Sequence, residues 1–210
     1  DYFAGYDQQD AHEFFISALN GIHAHSNDIQ DDNCKCIIHR VFGGVLQSDL
    51  TCSKCSFRSR AYDPIFDISI DIPKDNTSTL ADCLAKFTQP ETLESGDKYQ
   101  CRQCKLYQES VKQLSIYSLP PVLCFHLKRF EQKFSGSKKS SSKIDTFVQF
   151  PLDLDMEPYT SSSIYKENNV NSVPQDYQLF AMVHHFGNME NGHYVSYVRH
   201  PRSMWVKCED

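Results

Sequence analysis

An α+β domain is what this sequence predicts. Two short stretches carry apolar residues at helical spacing, while a larger number alternate or run continuously apolar as strands do. Two CxxC pairs add a closed metal site. At 210 residues, with 40% hydrophobic content, 14 Phe and 11 Tyr, the chain is long enough for one domain with a core of its own.

The first element is a helix. Ala11, Phe14, Phe15, Ala18, Leu19 and Ile22 follow the i, i+3, i+4, i+7 rule of a core-facing stripe. Asp7 is placed to cap its start, with Asp10 three residues on. Asp10, Glu13 and Ser17 line another face, so two carboxylates stand one turn apart where an arginine-bearing ligand could meet them; the plainer reading is a solvated face. A second helix is expected at "STLADCLAKF", with Thr79 and Asp82 as a capping pair and Leu80, Cys83, Leu84 and Phe87 as its apolar side.

Strands fill most of the remainder. "IFDISIDIP" alternates Phe66, Ile68 and Ile70 against Asp67, Ser69 and Asp71, and "PPVLCFHLKRF" reads as a longer, more buried strand. "QLFAMVHHFG" and "GHYVSYVRH" form a hairpin around "GNMENG". The polar stretches from Ser135 to Lys143 and from Tyr159 to Asp176 read as surface loops. The chain opens without Met and stops just after strand-like sequence, so both ends are expected to be truncations.

Charge narrows the function classes. A net charge of -6 argues against a protein that coats nucleic acid and is compatible with a basic protein ligand. No apolar run reaches the roughly 18 residues needed to span a bilayer, and no signal peptide precedes Asp1, so a soluble intracellular chain is expected.

Cysteine spacing is more specific. Cys52 and Cys55 form one CxxC, Cys101 and Cys104 another. Each pair turns two thiolates toward one point, and together they complete a tetrahedral zinc site with no position left for water, which makes it structural. Free or disulfide-bonded cysteines are the alternative, opposed by that spacing and by a reducing compartment. A second zinc site is expected from His23, His25, Cys34 and Cys36, on ligand type more than on spacing, with His39 as a rival ligand.

The chain closes on "NGHYVSYVRHPRSMWVKCED". A histidine after glycine at the start of a strand, followed by a tryptophan and an acidic pair, is a way to position a base and the carboxylate that orients it. That selects His193, with Glu209 and Asp210 as alternative orienters.

"YDQQDAHEFF", the paired knuckles, "LPPVLCFHLKRF" and the closing stretch resemble, in the same order and over nearly the whole chain, the ubiquitin-specific protease family. "CKCIIHRVFGGVLQSDLTC", "DPIFDISIDIP" and "HLKRFE" are similar in detail to the subgroup acting in the SAGA coactivator's deubiquitinating module. The resemblance implies a papain-like cysteine protease fold: a thumb remnant at residues 1–36, zinc-stapled β fingers at 37–118 and a palm at 119–210.

It also implies a chemistry. In the family a thiolate attacks the carbonyl of the ubiquitin C-terminal glycine, and an imidazole moves the protons. His193 matches that base. Glu209 stands where the family usually has Asn or Asp, with Asp210 behind it, so both remain candidates to orient His193. Asp10 matches the position that contacts ubiquitin's arginine-rich tail, with Glu13 a second candidate, and Gly187 to Gly192 matches a loop that must move for the tail to enter. Nothing here matches the family's Asn- and Cys-containing nucleophile box. Six cysteines are committed to metal clusters, and Cys83, Cys124 and Cys208 are expected in core-like settings, so the chain alone is expected to be inactive. The implied cofactor is structural zinc. The implied partners are ubiquitin, a ubiquitinated protein such as a histone, and adaptor subunits of a SAGA-like module in the nucleus, with no direct nucleic acid and no membrane. Two other readings remain: a nucleophile-free ubiquitin-binding scaffold, and a zinc-ribbon binding module, which the absence of concentrated basic residues on the knuckles disfavours.

Overall fold

The structure, a computed structural model, describes residues 3, 8–26, 34–73, 77–93, 98–135, 138–166, 175–202 and 204–209. Helix α1 (Ala11–Ala24) is capped by Asp10, whose carboxylate accepts from the His12 amide at 2.7 Å. Asp7, expected as the cap, lies outside the described residues. A short α2 (Ile37–Phe42) then leads into β1 (Gly44–Cys52), β2 (Arg58–Ile65) and β3 (Ile68–Ile70). β4 (Thr77–Thr79) runs into α3 (Leu80–Thr88), where Thr79 and Asp82 form the expected reciprocal capping box. β5 (Glu91–Thr92), β6 (Tyr99–Gln100), β7 (Tyr107–Gln108) and β8 (Ser110–Ser118) follow.

The second half continues with β9 (Phe125–Leu127), β10 (Phe130–Ser135), β11 (Lys138–Lys143), β12 (Phe147–Gln149) and β13 (Asp153–Asp155). A 3-10 turn (Glu157–Tyr159) and α4 (Ser161–Tyr165) precede β14 (Asp176–Gln178), β15 (Ala181–Gly187), β16 (Gly192–Arg199) and β17 (Trp205–Cys208). The expected strand at "PPVLCFHLKRF" is broken instead: only the three residues of β9 pair in parallel with β3, and Phe130 already begins β10. The expected loop from Ser135 to Lys143 is a ladder instead, β10 against β11 in antiparallel register. The loop expected from Tyr159 to Asp176 contains α4, capped by the Thr160 hydroxyl accepting from the Ser163 amide.

Two sheets matter for function. The longer one has the order β2-β1-β8-β5, and Pro64 sits in its edge strand, where its missing amide costs no ladder bond. The other, β15-β16-β17, is the expected hairpin extended by one strand. The main core is built around β3 and α3, against the end of the long sheet. Ile68, Ile70 and Ile72 from the alternating strand meet Leu80, Cys83 and Leu84 from the α3 stripe, closed by Ile116, Val148 and Met156. Burying side chains such as Leu84 contributes about 1.5–3 kcal/mol each.

α1 departs from its expected stripe. Leu19 is buried against Cys36 and Ile38, with Phe15 packed beside them, but Phe14 is 59% exposed and Ile22 51% exposed.

One face of the long sheet is polar and buried. Asp49, 1% exposed, accepts from Gln47 Nε2 at 2.7 Å and Arg60 Nε at 3.0 Å, while Tyr165 of α4 covers it beneath the Arg58 guanidinium. Burial pushes the Asp49 carboxyl up, yet hydrogen bonds from Arg60, Tyr165 and Gln47 outweigh this and hold it below the usual carboxylate range.

Candidate active site and metal centres

The two CxxC pairs adopt one local geometry twice. In the first, the Ser56 amide donates to the Cys52 carbonyl at 2.9 Å and the Cys52 amide to the Phe57 carbonyl at 2.9 Å. In the second, Lys105 donates to Cys101 at 2.8 Å and Cys101 to Leu106 at 3.0 Å. Ser56 and Lys105 both take the left-handed conformation that closes such a turn, at φ 59° and 60°. The first knuckle ends β1, and the second joins β6 to β7.

Cys52, Cys55, Cys101 and Cys104 converge so that their sulfurs lie within 4.8 Å of one another. Cys55 Sγ and Cys101 Sγ are 3.7 Å apart, close to the edge of about 3.8 Å that a tetrahedron with 2.3 Å zinc–sulfur bonds requires. Four thiols this close cannot all ionise without a cation. The Cys104 amide, donating to the Cys101 sulfur, draws that thiol down to about 7, while Cys55 and its other neighbours push Cys104 up to about 12. The donor set fits a soft, closed divalent site.

A second convergence joins His23, Cys34, Cys36 and His39. Cys36 Sγ lies 3.4 Å from His23 Nδ1 and 3.2 Å from His39 Nδ1, and Cys34 Sγ is 3.9 Å from His23 Nδ1. These bracket the nitrogen–sulfur edge of about 3.6 Å expected around a tetrahedral zinc. Burial pushes the Cys36 thiol up, but hydrogen bonds from the His39 backbone and ring and from His23 outweigh it and bring it to about 5. His25, one of the expected ligands, is not in the cluster: its Nδ1 faces the Gly21 carbonyl at 2.7 Å, at the end of α1. His39, the rival, takes the fourth position.

The catalytic candidates meet on the second sheet. β16 begins Gly192–His193, and antiparallel pairing sets His193 opposite Phe186 and Tyr197 opposite Lys207. Residues 193, 195 and 197 share one face of β16, as do 207 and 209 across the ladder, so His193 and Glu209 point the same way. His193 Nε2 stands 3.5 Å from Glu209 Oε1, and the other carboxylate oxygen pairs with Lys207 Nζ. That contact raises the Lys207 ammonium above its usual range. Asp210 lies outside the described residues.

Asp10 and Glu13 are placed by α1. The Tyr194 hydroxyl engages the backbone of Ala11, so the start of α1 docks on the strand that carries His193. Asp10 sits at this junction as the helix cap, and its charge reaches both Tyr194 and His185. Glu13 is exposed one turn further on.

Among the described cysteines Cys83 is buried in the main core, where burial raises its thiol, and burial pushes Cys124 up to about 11. Cys208 was expected in a core-like setting and is exposed instead. It pairs with Ser196, on the opposite face of β16 from His193.

An imidazole held against a carboxylate at the start of the central strand of a three-stranded sheet has the make-up of a base and its orienter, and comparison with known proteins gives the class. The family model described as ubiquitin carboxyl-terminal hydrolase matches residues 1–210, and the chain belongs to that family. Mouse ubiquitin carboxyl-terminal hydrolase 27 is 44% identical over 246 residues, covering 99% of this chain and 55% of the relative. Xenopus laevis ubiquitin carboxyl-terminal hydrolase 22-A is 44% identical over 249 residues, covering 99% of this chain and 46% of the relative. The chain thus spans about half the length of the curated relatives it matches. Among solved structures, the SAGA Ubp8/Sgf11/Sus1/Sgf73 DUB module bound to ubiquitin aldehyde matches with a TM-score of 0.83 and 34% identity, over 100% of this chain and 46% of that one. The same module with a cysteine-to-alanine variant of Ubp8, bound to monoubiquitin, matches at a TM-score of 0.81 and 37% identity, over 100% of this chain and 45% of that one.

Proposed function

We propose that this chain supplies the base, the substrate-tail contacts and the zinc-stapled fingers of a thiol-dependent deubiquitinase that cleaves the isopeptide bond after the C-terminal glycine of ubiquitin. The observation that carries this is the His193–Glu209 pair, in which Nε2 lies against the carboxylate and proton exchange with the thiol falls to Nδ1. A thiolate attacks the glycine carbonyl. His193 takes the thiol proton beforehand and returns it to the leaving lysine amine. Glu209 fixes the ring and stabilises the imidazolium, and Asp10, with Glu13 behind it, receives the arginines of the ubiquitin tail. Residues 1–36 act as a thumb remnant, 37–118 as fingers and 119–210 as palm. The nucleophile comes from outside these 210 residues, since six cysteines lie in the two metal clusters, the Cys83 and Cys124 thiols are pushed up by burial, and Cys208 lies on the other face of β16 from His193. Zinc, when bound at the four-cysteine site and at His23, Cys34, Cys36 and His39, supplies structural cross-links with no open position.

Likeness to the Ubp8 module supports a histone as the ubiquitinated substrate, partners equivalent to Sgf11, Sus1 and Sgf73, and a nuclear setting. Among the described residues no helix is long and apolar enough to cross a membrane. The test is labelling with a ubiquitin probe that carries a C-terminal electrophile. The whole protein encoded by the gene is expected to label and to lose turnover with His193→Ala, while the 210-residue chain does not label. Labelling of the isolated chain would show that one of its own cysteines is the nucleophile and overturn the assignment.

A further inference from the structure

Lys143 ends β11 with its side chain only 10% exposed, and its ammonium lies under the hairpin that carries His193. Nζ donates to the Gly187 carbonyl at 2.7 Å and to the His185 carbonyl at 3.1 Å, and it pairs with Asp145 at 3.3 Å. An ammonium has three protons, and these contacts use all of them.

Both carbonyls belong to the end of β15, where the chain leaves for the turn. Gly187 takes φ +98°, open to glycine and rarely to other residues, and the turn is closed by Asn188 accepting from the Glu190 and Asn191 amides at 2.9 and 2.8 Å. Gly192 faces Gly187 across the ladder, and His193 faces Phe186. The His185 ring lies against Gly192 so closely that a Cβ there would stand 1.9 Å from His185 Nε2. That ring is itself held between Phe130, at 5.3 Å between centroids, and Tyr194, at 4.7 Å. Lys143 therefore fixes the backbone on one side of the hairpin, and the His185 ring transmits that position to the residue directly before His193. After burial, the Lys143 charge is also the next cause holding His184 and His185 below the usual histidine range, so both rings stay neutral beside the base.

We propose that Lys143 is a positioning residue for His193: a buried cation that clamps the end of β15 and, through the His185 ring on Gly192, sets where the catalytic imidazole begins. This rests on His193 being the base. A tether that merely docks the β10–β11 hairpin would stabilise the domain without touching the chemical step. The clamp predicts a loss in kcat, because a displaced base is misaligned only when the proton moves, and a displacement of about 1 Å can cost on the order of 10²-fold.

The experiment uses the whole protein encoded by the gene with a fluorogenic ubiquitin C-terminal amide, comparing Lys143→Met, which keeps the stem and loses the charge, with Lys143→Arg, which keeps a cation able to donate to two carbonyls. Lys143→Met is expected to lower kcat by about 10- to 100-fold with KM within about twofold, Lys143→Arg to recover most of the loss, and faster amide exchange to be confined to residues 181–199. Wild-type kcat in Lys143→Met overturns the clamp. So does a loss that Lys143→Arg leaves unrecovered, or faster exchange spread over the whole domain. If the wild-type protein does not cleave the ubiquitin amide, the deubiquitinase reading fails, and the exchange measurement alone decides whether Lys143 holds the hairpin.

Discussion

Glu209 is shared between an imidazole and an ammonium. His193 Nε2 sees one carboxylate oxygen at 3.5 Å while Lys207 takes the other, so the proposed orienter is itself held in place. Glu209→Gln in the whole protein is expected to lower kcat by about 10³ to 10⁴ if Glu209 acts as the triad acid, and Asp210→Asn much less. Steady-state kinetics of the two variants decide this, and the reverse order would hand the role to Asp210. The candidate base was legible because the strand-start histidine and the acidic pair are both local in sequence. The fourth ligand of the second metal cluster was harder to see. His23 and His25 are two apart on a helix and so point to different sides, whereas Cys36 caps α2 and His39 stands one turn into it, on the same side. The i, i+3 spacing of Cys36 and His39 was the available signal.

The knuckles are the local elements most plainly written in the sequence, since CxxC spacing dictates the turn whatever surrounds it. They close a narrow sheet whose buried face carries Gln47 and Asp49 in place of apolar residues, so a metal held by the four cysteines would supply cohesion that burial does not. Metal analysis of the purified whole protein, compared among variants, tests both sites. Cys52→Ser with Cys101→Ser is expected to remove one zinc and most of the stability of the fingers. His39→Ala is expected to remove a different zinc, and His25→Ala none. Zinc content unchanged by the double cysteine substitution would refute the four-cysteine site. β11 and α4 were missed for a common reason: β11 is Lys and Ser throughout and α4 is three serines before Ile164 and Tyr165, so neither shows an apolar period, and partners distant in the chain hold them. Lys143 bonds to β15, and Tyr165 lies over Asp49. Only the Thr160 cap before three serines announced α4.

Over the whole molecule, three histidines are pushed below their usual pKa of 6.5 chiefly by burial: His126, His184 and His185. His126 stacks on His12 at 3.8 Å while Ser69 bonds its Nδ1, and Asp10, Asp67 and Lys128 also act on it. A depressed folded pKa means the unfolded chain takes up the proton first, so stability is intact above pH 6.5 and falls as pH drops toward the folded values. Thermal melts of the whole protein at about pH 7.5 and about pH 5.5 should show a lower midpoint at the lower pH, by about 2–4 °C for each kcal/mol lost. Acid release of any zinc held by the two clusters would pull in the same direction. The difference between wild type and His126→Gln isolates the histidine, and an equally steep decline in that variant would remove His126 from the account. The α+β class and the core were legible from the alternation of Ile68, Ile70 and Ile72 and the α3 stripe. The exposure of Phe14 and Ile22 was not, because a helical period reports that a face is apolar and not what lies against it.

The parallel pairing of β3 with β9 has a consequence for the time course of folding. Ile68 meets Phe125 across a stretch of chain that includes the second knuckle, and bringing such distant partners together is entropically slow. Yet β1 pairs with β2 as far as Gly44 opposite Ile65 and with β8 as far as Val45 opposite Ser118. A sheet that zips downward from joined knuckles delivers Ile65 and Ser118 to the same end, one on either side of β1, and only a few residues then separate each from β3 and β9. Metal captured at the tip would turn that long-range search into a short one, so zinc supply is expected to set how fast a new chain reaches its core as well as how firmly it stays there.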